Sequence, residues 1–215
     1  MRYELVIFDN DGVLVDSERI ANRVLAAYLT ELGHPTTLEE SIRNFMGSSI
    51  GRIHEVVRRR TGRPLPGAFD DTLHRRTFDA FRRELLPVDG VSGVLDSLES
   101  EQVPYCVASS GTHDRIRVSL RKTGLYGRFG ESRIFSAEDV RRGKPAPDLF
   151  LHAADVMGVP PERCAVVEDS PLGLRAGLAA GMDVFGYAAM TPPERLAAAR
   201  ARFPEMKALV ALLST

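Results

Sequence analysis

The chain has few of the features that mark disulfide-rich, nucleic-acid-binding or membrane proteins. It contains two cysteines, Cys106 and Cys164, each inside an apolar run, so we expect buried thiols and neither a disulfide nor a metal ligand. Its 28 basic and 29 acidic residues leave a net charge of −1, so no overall field attracts nucleic acid or an anionic membrane. No apolar run is long enough to span a bilayer. The four-residue apolar run before Asp9 is too short for the core of a signal peptide.

The composition is that of an ordinary globular protein. Hydrophobic residues make up 44% and charged residues 27% of the 215 positions, which suits one large domain or one domain with an insertion. We therefore expect a cytoplasmic protein with no nucleic-acid or membrane partner, and a monomer for a fold of this size. The basic runs Arg58–Arg60 and Arg82-Arg83 are typical of solvated helix faces.

Five short apolar runs predict buried strands that alternate with helices. The predicted strands cover residues 4–8, 104–108, 133–136, 165–167 and 183–187. The helical patterns between and after them cover residues 91–100, 113–123, 148–157, 172–180, 193–200 and 205–213. This alternation predicts right-handed crossovers and an α/β fold with a doubly wound, Rossmann-like parallel sheet.

The stretch from 16 to 87 contains no convincing strand. Its helical patterns cover residues 18–32, 38–45, 50–60 and 69–85. An all-helical block of about 70 residues after the first strand is much longer than an ordinary connection between a strand and a helix. We therefore predict a helical domain, residues 16–87, inserted into an α/β domain made of residues 1–15 and 88–215.

Two carboxylates follow the first predicted strand, where Asp9 and Asp11 lie two positions apart. A charge at the end of a buried strand has to be paired, bound to a metal or used in chemistry. Open α/β sheets also bind their ligands at the carboxyl ends of their strands. The alternative is that residues 9–12, which end at Gly12, form a simple polar turn before a helix.

Further polar residues follow the second, third and fourth predicted strands. They are Ser109, Ser110, Gly111, Lys144, Glu168 and Asp169. Because the carboxyl ends of parallel strands meet at one edge of a sheet, we expect these residues to lie close to the two aspartates. Four polar sites in chain order, each after a strand, favour a functional site over a simple turn.

The combination of residue types predicts phosphoryl transfer. Clustered carboxylates suit Mg²⁺, which in proteins binds a few carboxylates together with water and phosphate oxygens. The Ser109 hydroxyl and the amides of Ser110 and Gly111, ahead of a helix, suit phosphate oxygens. Lys144 balances the negative charge of a carboxylate beside a phosphate. One carboxylate then attacks phosphorus, and another moves protons.

These motifs resemble those of the haloacid dehalogenase (HAD) superfamily, in particular the subgroup of β-phosphoglucomutase and small sugar-phosphate phosphatases. The matching residues are Asp9–Val13 as Asp-x-Asp-Gly-Val, Ser109, Lys144 in Gly-Lys-Pro-Ala-Pro-Asp, and the acidic pair Glu168-Asp169. The resemblance covers nearly all of the predicted sheet domain. It also implies that the helical insertion is the cap domain that this subgroup carries at the same place.

The resemblance implies a role for each residue of the site. Asp9 would be the nucleophile and Asp11 the general acid and base. Mg²⁺ would be held by the Asp9 carboxylate, the Asp11 backbone carbonyl and Asp169, with Glu168 supporting them. Ser109, with the neighbouring Ser110 and Gly111, and Lys144 would hold the transferred phosphoryl group. The expected reaction is Mg²⁺-dependent hydrolysis of a small phosphorylated metabolite, such as a sugar or polyol phosphate, through an aspartyl-phosphate.

The resemblance further implies that the cap closes over the site and contacts the substrate's leaving group. The candidate contacts are Ser48, Ser49, Arg75 and Arg76. The alternative for the two arginines is a solvated helix face.

Two other functions compete with hydrolysis. Enzymes like β-phosphoglucomutase carry a histidine and an arginine where this chain aligns Ala21 and Ile50, which favours a phosphatase over a phosphomutase. A non-catalytic phosphate-binding or signalling module is the further alternative. The long helical insertion and the additional acid at Asp11 are not typical of such modules.

Overall fold

The computed structural model describes residues 1–46 and 48–215, and the chain forms two compact units. One unit consists of Met1–Asp16 and Leu86–Thr215, and the other is the continuous segment Ser17–Leu85. Among the described residues, no helix is both long and apolar enough to cross a membrane. The role of the second unit as a cap stays a prediction.

The segment Ser17–Leu85 contains four helices and, among its described residues, no strand. The helices are α1 (Glu18–Glu31), α2 (Leu38–Phe45), α3 (Ile50–Thr61) and α4 (Phe69–Glu84). Their apolar stripes form a shared core, in which Tyr28 stacks on Phe69 with ring centroids 5.1 Å apart. A capping box begins α2, because the side chains of Thr37 and Glu40 each accept a hydrogen bond from the other's backbone amide.

The other unit contains a six-stranded sheet in which all neighbouring strands are parallel. The strands are β1 (Leu5–Phe8), β2 (Tyr105–Ser109), β3 (Ile134–Ser136), β4 (Cys164–Glu168), β5 (Asp183–Tyr187) and β6 (Ala201–Phe203). Their order across the sheet is β3-β2-β1-β4-β5-β6. β1, β2 and β4 are buried along their whole length, as expected for parallel strands covered on both faces. The predicted doubly wound parallel α/β fold is confirmed.

Six helices accompany this sheet. They are α5 (Val91–Ser100), α6 (His113–Lys122), α7 (Tyr126–Phe129), α8 (Asp148–Met157), α9 (Pro171–Ala179) and α10 (Leu209–Leu212). Alternate strand residues point to the same face of the sheet, and on one face Ile7, Cys106 and Val166 share a core with Phe150 of α8. Cys106 and Cys164 are both buried free thiols, as predicted. Because this core includes residues of five strands, it fixes their relative register.

The predicted helix over residues 193–200 is wrong. The chain forms only a 3₁₀ turn at Pro193–Leu196, and Ala201–Phe203 then forms β6 beside β5. The sequence favours a helix here because alanine, leucine and arginine have high helix propensities. Tertiary pairing outweighs that preference, since the Arg200 amide donates to the Val184 carbonyl of β5 at 2.8 Å.

Candidate active site

The order of the strands reverses beside β1. β2 and β3 lie on one side of β1, whereas β4, β5 and β6 lie on the other. Doubly wound sheets bind ligands where the strand order reverses, at the carboxyl ends of the strands. Asp9 is the first residue after β1, and its amide donates to the Val167 carbonyl of β4 at 3.0 Å. Asp9 therefore lies at this reversal point.

The loop after β1 is fixed by the buried residue between the two aspartates. Asn10 is fully buried, and its side-chain amide donates to Ser119 Oγ of α6 at 3.1 Å. The Asn10 carbonyl accepts from the amides of residues 14 and 15 at 3.0 and 3.1 Å. Gly12 has a φ of 80°, a left-handed conformation that glycine adopts without steric cost. Asp9 and Asp11 are thus carried by a tightly wound loop that is anchored between them.

Lys144 joins the ends of three strands through one buried ammonium group. Its Nζ donates to Asp9 Oδ1 at 2.6 Å, to Glu168 Oε1 at 2.6 Å and to the Ala108 carbonyl at 3.0 Å. The lysine side chain is 4% exposed, and those of Asp9 and Glu168 are 10% and 1% exposed. The three hydrogens of the ammonium therefore each have an acceptor, as a buried charge requires.

Burial and neighbouring charges shift the pKa values of Asp9 and Lys144. Burial raises the pKa of Asp9 to about 7, and the carboxylates of Glu168 and Asp11 add to the rise while Lys144 opposes it. Burial alone would lower the pKa of Lys144, but the attraction of Asp9 and Glu168 raises it above its ordinary value. The lysine is accordingly a fixed positive charge at neutral pH.

Glu168 is held by its neighbours on both oxygens. Oε1 accepts from Lys144, and Oε2 accepts from the backbone amide and the hydroxyl of Ser170 at 3.0 and 2.9 Å. The same hydroxyl accepts from the Gly173 amide and so caps α9. A Cβ atom at Gly173 would lie 1.7 Å from Glu168 Oε1, so the glutamate can lie against α9 only because residue 173 has no side chain.

The acidic residues of this cluster fit a divalent cation. One ligand oxygen from each of Asp9, Glu168 and Asp169 lies within 4.8 Å of the others. Asp9 and Glu168 contact the ammonium of Lys144, and Asp169 lies close to both, so these three carboxylates and one ammonium carry two negative charges in excess when all are ionised. Carboxylate oxygens in such an arrangement are the ligands that Mg²⁺ prefers. Because both oxygens of Glu168 already accept hydrogen bonds, Glu168 is less available to bind an ion directly.

The loop after β2 has the form expected of a phosphate-binding turn. Ser109 is buried, and its Oγ accepts from the Gly111 amide at 3.1 Å, whereas Ser110 is exposed. The Gly111 carbonyl accepts from Ser136 Oγ at 2.7 Å, which braces the turn against the end of β3. The side chain of Thr112 then caps α6. The positive end of the helix dipole therefore lies next to this loop.

Arg115 is a charged residue of the site that sequence reasoning missed. It lies in the first turn of α6, and its Nη2 donates to Asp11 Oδ1 at 2.9 Å. The side chains of Arg115 and Asp11 are 25% and 17% exposed. The sequence feature that could have identified Arg115 is a cation in the first turn of a predicted helix, where the helix dipole disfavours a positive charge. Such a residue is well placed to pair with a nearby carboxylate.

In the helical unit, Arg76 is held by residues of the unit itself. Its Nη1 donates to both carboxylate oxygens of Glu31 at 2.8 and 2.7 Å, and its guanidinium carbon lies 4.3 Å from the centre of the Tyr28 ring. Arg75, one position earlier, is exposed. These contacts give Arg76 a part in holding α4 to α1.

The two serine candidates lie at the start of α3. Ser48 is partly buried, and Ser49 is the N-cap residue, whose side chain makes no capping hydrogen bond. Gly47, which directly precedes them, lies outside the described residues. The substrate contacts proposed for Ser48, Ser49, Arg75 and Arg76 stay predictions.

The sequence matches a known protein family over most of the chain. The family model for haloacid dehalogenase-like hydrolases matches residues 6–187. The chain belongs to the haloacid dehalogenase-like hydrolase family. The predicted family and the predicted enzyme class, a phosphatase of this family, are confirmed.

Several haloacid dehalogenase-like proteins resemble the chain over almost all of its length. A 6-phosphogluconate phosphatase of Escherichia coli is 34% identical, and the match covers 87% of this chain and 84% of the relative. Hexitol phosphatase A and a fructose-1-phosphate phosphatase of the same organism are each 30% identical, covering 91% and 85% of this chain and 88% and 95% of the relatives.

Solved haloacid dehalogenase-like structures agree with the fold. A conserved protein of Agrobacterium tumefaciens has a TM-score of 0.90 at 37% identity, covering 99% of this chain and 98% of that one. A family hydrolase of Deinococcus radiodurans, solved with bound phosphate and sodium, has a TM-score of 0.83 at 33% identity. That match covers 99% of this chain and 96% of the other.

We predict that Gly173→Ala lowers the phosphomonoester turnover of this haloacid dehalogenase-like enzyme about 10- to 100-fold. The new methyl group would meet Glu168 Oε1 at 1.7 Å, so the glutamate must move and its bond to Lys144 must break. Steady-state turnover measured beside thermal unfolding is the check. Gly177→Ala is the matched control, because its methyl group meets Val184 in the core and should lower stability alone. Parental turnover in Gly173→Ala would contradict the positioning of Glu168 described above.

Proposed function

We propose that the chain is a Mg²⁺-dependent phosphatase that hydrolyses a small phosphorylated metabolite through an aspartyl-phosphate on Asp9. The observation that carries this proposal is the ammonium of Lys144, held 2.6 Å from both Asp9 and Glu168 at the strand-order reversal. A buried carboxylate beside a fixed cation, an acidic metal-binding cluster and a phosphate-binding turn form the set of groups that phosphoryl transfer requires.

In the first step Asp9 acts as the nucleophile. One of its carboxylate oxygens forms a bond to phosphorus, and the bond between phosphorus and the substrate oxygen breaks. Asp11 gives a proton to the departing oxygen, which leaves as an alcohol. Lys144 and the amides of the loop that begins at Ser109 balance the negative charge of the transferred group.

In the second step Asp11 acts as a base. It takes a proton from water, the water oxygen bonds to phosphorus, and the bond to Asp9 breaks, which releases inorganic phosphate and restores both aspartates. When bound, Mg²⁺ supplies charge neutralisation for the phosphoryl oxygens. The residues that would hold it are Asp9, the Asp11 backbone carbonyl and Asp169, while Glu168 supports the site through Lys144.

The substrate that we propose is a phosphomonoester of a sugar, a sugar acid or a polyol. The support is the set of relatives named for 6-phosphogluconate, hexitol phosphates and fructose 1-phosphate. We assign substrate selection to the helical unit, which would act as the cap. Screening turnover over a broad panel of phosphomonoesters identifies the substrate.

A phosphomutase is the second candidate, because a β-phosphoglucomutase-like structure of Thermotoga maritima has a TM-score of 0.79 at 25% identity. Ala21 and Ile50 lack the proton-transfer and anion-binding groups expected of a mutase. We therefore expect β-glucose 1-phosphate, supplied with a trace of the bisphosphate, to give inorganic phosphate or no reaction. Formation of glucose 6-phosphate without phosphate release would reverse the choice.

Replacing Asp9 or Asp11 by asparagine should impair different steps of the reaction. Asp9→Asn removes the nucleophile and should lower turnover about 1,000-fold or more. Asp11→Asn removes the proton carrier and should lower turnover about 100- to 10,000-fold. Phosphoenzyme should also accumulate during turnover of this variant and be detected after acid quenching. Asp155→Asn, an exposed change on α8, is the matched control and should behave like the parent.

Rapid-quench labelling and intact-mass measurement distinguish these outcomes. A phosphorylated form should appear in Asp11→Asn and be absent from Asp9→Asn. Turnover of Asp9→Asn within tenfold of the parent would reject Asp9 as the nucleophile.

Removal of metal should abolish turnover, and Mg²⁺ should restore it. Because the acidic cluster carries excess negative charge, Mg²⁺ should also raise the unfolding temperature of the metal-free protein in the absence of substrate. Asp169→Asn should weaken both effects, and Asp155→Asn should change neither. Full turnover after exhaustive chelation would contradict the metal requirement.

A further inference from the structure

Arg115 touches two parts of the site at once. A Cβ atom at Gly111 would lie 3.2 Å from Arg115 Cδ and 3.4 Å from Ser109 Oγ, so the arginine stem crosses the turn that follows β2. Beyond the turn, its Nη2 donates to Asp11 Oδ1 at 2.9 Å. One side chain therefore connects the phosphate-binding turn to the Asp11 carboxyl group.

The place of Arg115 in α6 is unfavourable by itself. It lies three residues after the N-cap Thr112, in the first turn, where the positive end of the helix dipole repels a cation. The contact with Asp11 offsets this repulsion. Because both side chains are mostly withdrawn from solvent, water screens the pair less than it screens an ion pair on the surface.

We propose that Arg115 is a positioning residue that orients the Asp11 carboxyl group for proton transfer, an inference that rests on the proposed function. Asp11 has to serve the leaving oxygen first and the attacking water second, so its carboxyl group must keep one orientation through both steps. The guanidinium holds Oδ1 and fixes the rotation of that group. Arg115 cannot replace Asp11 in proton transfer, because a guanidinium stays protonated at any physiological pH.

The first test changes the charge of Arg115 and keeps its stem. Arg115→Met retains the apolar contact with Gly111 and removes the guanidinium, so we expect kcat to fall about 10- to 100-fold. KM and the inhibition constant of inorganic phosphate should change by less than about threefold, because the phosphate-binding groups remain. Arg115→Lys keeps a charge and should recover part of kcat. Arg121→Met, an exposed change on the same helix, is the matched control.

The second test combines the changes. In an Asp11→Asn background, Arg115→Met should cause no more than about a twofold further loss, because its effect passes through Asp11. The same four proteins are compared by thermal unfolding, where the two changes should be non-additive whether or not turnover is measurable.

Three results would overturn the inference. One is parental kcat in Arg115→Met when Asp11→Asn is slow. Another is an equal loss in both backgrounds, and the third is a tenfold rise in the phosphate inhibition constant with kcat unchanged, which would make Arg115 a phosphate-binding residue. Failure of the proposed function is distinguishable from all three, because it would leave Asp11→Asn itself with parental turnover.

Discussion

A single buried cation determines how this site is assembled. Removing an ammonium group from water is costly, and a buried charge persists only where every hydrogen finds an acceptor. Lys144 meets that condition with one oxygen from the end of each of β1, β2 and β4. Loss of one carboxylate partner would leave an uncompensated charge, at a cost of about 3–5 kcal/mol. The site therefore exists only when these strand ends are in register.

The residues around Lys144 are restricted by the space and by the hydrogen-bonding partners available beside its ammonium group. Glu168 needs a second anchor to face Lys144, and Ser170 supplies two donors to its other oxygen. That conformation puts the carboxyl group in the volume that a side chain at residue 173 would occupy, so only glycine fits. On the other side, Asn10 fixes the loop of the aspartates to α6 through Ser119. Each support is a local consequence of placing charge at the end of a buried strand.

Much of this could be predicted from the sequence, because parallel strands bring their carboxyl ends to one edge. Asp9, Lys144 and Glu168 each follow an apolar run, so topology alone predicts that they meet. Arg115 could not be found in this way, because its partner is 104 residues away and depends on how α6 packs. The edge strand β6 was missed for a related reason. Its pairing with β5 is tertiary, while its local sequence favours a helix.

The two aspartates differ in the cations that hold them, and this difference agrees with the proposed division of labour. Asp9 is bonded to a buried lysine that is itself fixed by two other acceptors, so its carboxylate has little freedom to turn. Such a group suits attack along one direction. The side chain of Asp11 is more exposed than that of Asp9, and it pairs with the long side chain of Arg115 on a separate helix. A carboxyl group that exchanges protons with a leaving group and with water needs that access. Unequal burial of two neighbouring carboxylates thus separates the nucleophile from the proton carrier.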